Sequence, residues 1–150
     1  MKLAYILSTI MLLTFSACAS MSNDVVEGHK KPVKMIYIWD ADGHTDINLL
    51  NGLKGEAGAF LRSNGFALAA DADSTDAYLK ITVIDAYRDG DRGKSYIKAR
   101  LYILDSSDNT TIYDATYEAS ASGGGFDGPE YPIQKFVEGV LADFVKEQRK

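Results

Sequence analysis

Apolar and polar residues alternate along three stretches in the second half of the chain. Ala77–Arg88, Lys94–Leu104 and Thr111 to about Ala121 each repeat with a period of two, which predicts strands. The polar turns Asp89-Gly90-Asp91-Arg92-Gly93 and Asp105-Ser106-Ser107-Asp108-Asn109 join them into a meander. The alternation sorts the residues onto two faces. Leu79, Ile81, Val83, Ile97, Ala99, Leu101, Ile103, Ala115, Tyr117 and Ala119 form an apolar face that needs a cover. Tyr78, Lys80, Thr82, Tyr96, Lys98, Arg100, Tyr102, Asp114, Thr116 and Glu118 form a second face that predicts contact with water. Earlier in the chain, Val33–Asp40 is β-branched and aromatic, and both of its faces are largely apolar. That predicts a strand that is central or covered on both sides.

Two stretches have helical spacing instead. From Ile47 to about Asn64, Leu49, Leu50, Leu53, Ala57, Phe60 and Leu61 fall within one arc. Thr45 or Asp46 precedes it as an N-cap, and Gly65 follows as the stop signal. Near the end of the chain, Ile133, Phe136, Val137, Val140, Leu141, Phe144 and Val145 form a continuous stripe. Pro129 is placed in the first turn of that helix, and Lys146, Arg149 and Lys150 complement its negative end. The predicted fold is α+β: a four-stranded mixed sheet in the order β-α-β-β-β-α, with two helices packed on one face. The first strand should run parallel to the second through a right-handed crossover.

Glycines interrupt this pattern in two places. The polar side of the first helix carries Gly52, Gly55 and Gly58, although each interior glycine costs roughly 1 kcal/mol relative to alanine. An uncharged face without side chains suits close approach by another surface, so these three are candidates for a partner-binding face. Gly123-Gly124-Gly125-Phe126-Asp127-Gly128 has the glycine spacing of a dinucleotide loop. A βαβ unit and a later acidic residue are missing, and Asp127 would repel a pyrophosphate. These glycines predict an unusual backbone path out of the last strand. Asp40-Ala41-Asp42-Gly43-His44-Thr45-Asp46 suggests a calcium loop, but aligning Gly43 with the invariant glycine puts Ile38 and Leu49 where carboxylates are required. No metal site and no cofactor are expected.

The N-terminus reads as an address. Lys2 is followed by the mostly apolar Leu3–Phe15, too short to span a bilayer and the right length for a signal-peptide core. Phe15-Ser16-Ala17-Cys18 resembles the lipobox of bacterial lipoproteins, with Phe15 standing where leucine is usual, and Cys18 is the only cysteine. The resemblance implies cleavage after residue 17, a diacylglyceryl group on the Cys18 thiol, and membrane attachment through that residue. A single acyl chain binds marginally, whereas the two or three implied here would hold firmly. Ala19 rather than Asp after the cysteine resembles an outer-membrane sorting signal, which places the protein on the outer membrane facing the periplasm. Residues 18–31 read as a lipidated flexible tether with a coil reach of roughly 20 Å, and residues 32–150 as one domain.

Without residues 1–17 the chain keeps 133 residues, with 15 basic against 21 acidic side chains, a balance of −6. That length supports one core, and that charge argues against nucleic acid as a partner. Two histidines, no second cysteine and no nucleophile elbow leave catalysis without candidate residues. Tyr113-x-Ala115 leading to Gly123-Gly124-Gly125 and an amphipathic C-terminal helix is similar to small uncharacterised lipoproteins of Gram-negative bacteria. The element order also looks like that of LptE-like envelope-assembly lipoproteins. Neither resemblance implies a reaction. The leading expectation is a non-enzymatic lipoprotein that binds another envelope protein. The alternative is a module for envelope glycan or lipid. In either case the candidate binding face is Tyr78, Lys80, Tyr96, Lys98, Arg100 and Tyr102, although Asp114 and Glu118 are placed to pair with its cations across strands.

Overall fold

The computed structural model describes residues 31–123 and 129–150. The signal peptide, Cys18, nearly all of the expected tether, and Gly124 and Gly125 lie outside the described residues. The elements are β1 (Met35–Asp42), α1 (Ile47–Ser63), β2 (Ala67–Leu68), β3 (Ala77–Asp89), β4 (Lys94–Asp105), β5 (Thr111–Ser122) and α2 (Ile133–Gln148). The sheet has five strands in the order β2-β1-β3-β4-β5, one more than the alternation predicts. β2 is the addition. It is a two-residue parallel strand, held where Ala67 N–H donates to Lys34 O and Ala69 N–H to Ile36 O, at 2.9 and 3.0 Å. Two residues cannot display a period, so backbone pairing alone reveals it. β1 pairs in parallel with β3, and β3-β4-β5 form the expected antiparallel meander.

Each helix has a readable beginning or end. The Asp46 carboxylate accepts from the Asn48 and Leu49 N–H groups at 2.9 and 3.4 Å and starts α1. A Schellman motif ends it: Phe66 N–H donates to Leu61 O, Gly65 N–H donates to Arg62 O, and Gly65 takes a φ of +92°. Phe66 and Leu61 are themselves buried beside that cap. Helix α2 starts at Ile133, four residues later than Pro129 suggests. Pro129 and Glu130 instead lie against the sheet, where Arg88 Nε donates to Pro129 O and Ser95 Oγ to Glu130 O.

The core lies between the apolar sheet face and the two helices. α1 covers β1 and β2, and α2 covers β4 and β5. Every residue assigned by alternation to the covered face is buried, with Leu79, Ile97, Ala99, Leu101 and Ile103 wholly so. Gly139 lets α2 settle onto the Tyr117 ring, where a Cβ would overlap it. Beside it, the buried Tyr113 hydroxyl donates to Val140 O at 2.7 Å. At the entrance to the domain, Lys31 Nζ meets Asp105 Oδ1 at 2.7 Å, and the Gln148 amide bonds both Lys31 O and Val33 N–H.

Candidate functional site

The sheet face turned away from the helices carries no covering element among the described residues, and all six predicted binding residues lie on it. Cross-strand register brings Lys80 opposite Tyr102 and Lys98 opposite Glu118. The cations are internally paired. Lys98 Nζ lies 2.6 Å from Glu118, Lys80 Nζ lies 3.2 Å from Asp42, and Arg100 meets Asp114 with two bonds of 2.8 and 2.5 Å. Hydrogen bonding to Glu118 raises the Lys98 pKa, and the same bond lowers that of Glu118. Burial, then Glu118, raises the Tyr96 phenol. The Arg100 guanidinium also lies 4.6 Å from the centre of the Tyr102 ring. The cations of this face are thus paired in place, and its aromatic surface is what remains available.

Two exposed aromatic residues on this face escape the alternation reading. Trp39 and Tyr87 are 49% and 46% exposed. Trp39 contacts Tyr78 edge-to-face at 5.4 Å and Tyr37 at 6.1 Å, which gives a row of three rings. Tyr87 stacks on Tyr96 with ring centres 5.4 Å apart. Of the two expectations for β1, the central position holds, since β2 and β3 flank it, and cover on both sides does not, since its outer face is open among the described residues. A β-bulge explains Tyr87, whereas Trp39 keeps the parity of Tyr37 and escaped because both faces of its strand are largely apolar. The β1–β3 register shifts between Ile38 and Ala41, and the β3–β4 register shifts between Val83 and Asp85. The second shift leaves Ile84 unpaired and moves Tyr87 from the covered face to the open one. The adjacent apolar pair Val83-Ile84, which breaks the alternation, was the available signal.

The other sequence candidates have structural duties. A Cβ at Gly52 would overlap Ile133 of α2, and one at Gly58 would lie 3.2 Å from Leu68 and 3.3 Å from Ile38. The surfaces these two glycines approach belong to the same domain, and Gly58 is buried rather than on a solvent face. Only Gly55 opens to empty space. In the acidic turn, Asp40 binds Lys54 at 2.8 Å, and His44 Nδ1 accepts from the Asp46 N–H at 3.0 Å. Among the described residues, no group of three His, Cys, Asp or Glu could hold a metal ion, and no helix is long and apolar enough to cross a membrane.

No family model matches the chain. A search of curated proteins likewise finds no match. Solved structures do share the fold. A PelC dodecamer from Paraburkholderia phytofirmans is similar at a TM-score of 0.62 and 14% identity, over 79% of this chain and 93% of that one. Lipoprotein GNA1162 from Neisseria meningitidis is similar at 0.54 and 12%, over 75% and 98%. The hypothetical protein CT253 from Chlamydia trachomatis is similar at 0.56 and 12%, over 77% and 98%. The chain thus has a fold that small Gram-negative lipoproteins also use.

Proposed function

We propose that the protein is a non-enzymatic lipoprotein of the bacterial envelope, held by acyl chains on Cys18 in the outer membrane and facing the periplasm. Its open sheet face binds another envelope protein. One observation carries this reading: Trp39 and Tyr87 stand about half exposed on a face whose cations are already paired. Half-exposed aromatics with arginine nearby, rimmed by polar groups, are the composition favoured at protein interfaces. Pre-paired charges leave little to rearrange when such a face is covered. The fold's occurrence in the PelC dodecamer makes a second copy of the chain the first partner to look for.

The test is crosslinking in living cells with a photoreactive residue at Trp39 or Tyr96 and Cys18 intact. A discrete protein adduct from either position is expected, and one of twice the chain's mass would identify self-association. Absence of an adduct from both positions would remove the sheet face as a protein interface. The row Tyr37–Trp39–Tyr78 favours a second reading, an envelope glycan stacked on these rings. A saturable glycan response abolished by Trp39→Ala would select it. Of the glycine face on α1, only Gly55 stays available to an outside surface, so that face is the lesser candidate.

A further inference from the structure

A groove of about 300 Å³ runs between the C-terminal ends of α1 and α2, lined by Phe60, Asn64, Ala142, Val145, Lys146 and Arg149. Its walls are apolar, its rim holds two cations, and no acidic residue lines it. Two helices end here, and their final carbonyls would ordinarily absorb cationic charge. On the α1 side they are already satisfied. Phe60 O accepts from the Asn64 side chain at 2.8 Å, Leu61 O and Arg62 O accept from the Schellman donors, and Arg149 donates to Asn64 Oδ1 at 2.9 Å and to Asn64 O at 3.5 Å, which leaves Lys146 as the cation that no carbonyl of α1 takes up. Lys146 has no ion pair among those recorded for the described residues. None of the acids of α2, Glu138, Asp143 and Glu147, lines the groove. An acidic protein therefore keeps a cationic, apolar-walled groove at one place.

That place is where the chain leaves for its anchor. Gln148, next to Arg149, bonds Lys31 O and Val33 N–H. From Lys31 back to Cys18 is 13 residues, a coil reach of roughly 20 Å. We infer that this groove receives the headgroup phosphate of an anionic phospholipid from the bilayer that holds the anchor, with Lys146 and Arg149 on the phosphate and Phe60 and Val145 against the glycerol and upper acyl carbons. The inference rests on the lipid-anchor reading for its nearness to the membrane. It goes beyond that reading by fixing which end of the domain faces the lipid. Basic side chains near an anionic surface each contribute about 1 kcal/mol, so the contact would orient an already anchored domain rather than recruit it.

The experiment uses the full lipidated protein with vesicles of phosphatidylcholine alone or with one third phosphatidylglycerol, and reads lysine acylation by mass spectrometry. Lys146 should react about fivefold more slowly on the anionic vesicles, while Lys94, in the β3–β4 hairpin at the far end, should be unchanged. Equal slowing at Lys94 and Lys146, or at neither, overturns the inference. So does equal protection of Lys146 by soluble glycerol phosphate with neutral vesicles, which would mark a free-phosphate site. Flotation with the neutral vesicles depends on the acyl chains alone. Its loss would remove the anchor reading independently of the Lys146 result.

Discussion

Tyr113 couples the core to pH. Its hydroxyl donates to Val140 O inside α2, and burial, then Asp143 and Glu147, push its phenol above the ordinary value. A raised folded pKa means that the folded chain keeps this proton above about pH 10 while the unfolded chain releases it. Its contribution is whole below pH 10 and is lost as pH rises, by up to about 1.4 kcal/mol per pH unit. Tyr113→Phe removes both the bond and the titration. The variant should lose about 1 kcal/mol at pH 7 and show a shallower decline above pH 10. Urea midpoints from pH 7 to 11 for the two proteins check this, and parallel curves would refute it.

At the level of elements, glycines that look alike in sequence have opposite duties. Gly43 has a φ of +88°, and a Cβ there would overlap the Val83 carbonyl, so the turn between β1 and α1 is built on its absence. Gly55 sits mid-helix with nothing within 4 Å. Gly43→Ala should destabilise by at least about 1–2 kcal/mol from the left-handed backbone alone. Gly55→Ala should stabilise by roughly 0.5–1 kcal/mol. Chemical denaturation of both variants separates these signs. The helices and the three long strands were legible because each repeats its period over many residues, and the start and stop of α1 because Asp46 and Gly65 are cap residues, whereas Pro129 set the start of α2 four residues too early. β2 was not, because two residues carry no period. Tyr87 was not assigned to the open face because one inserted residue in a strand reverses every later side chain, and Trp39 was not because both faces of Val33–Asp40 are largely apolar. Six of the candidate face's residues were legible for the converse reason: they precede the bulge in β3 or lie on the regular strand β4. The glycines of α1 misled because spacing shows which side of a helix a residue occupies, not whether β1, β2 or α2 lies against that side.

For the whole molecule, the decisive contact is the clasp that ties residues 31–33 to the ends of β4 and α2. Any pull on the chain ahead of the domain reaches it through Lys31, whose ammonium meets Asp105 while Gln148 holds the backbone on either side of Pro32. The Lys31 hydrogen bond, then those from the Ser107 hydroxyl and N–H, hold the Asp105 carboxyl well below the usual carboxylate range. A lowered folded pKa means that the contribution is present above the unfolded value of about 3.9 and is lost as pH falls through the lower folded one. Asp105→Asn should therefore lower the Tm by a constant amount from pH 7 down to about pH 5, and the gap to the unmodified protein should begin to narrow below about pH 4. Calorimetry of both proteins from pH 3 to 7 checks it. A gap that persists unchanged at pH 3 would mean that Asp105 acts through the shape of the β4–β5 turn rather than through its charge, and that Lys31 is held by Gln148 alone.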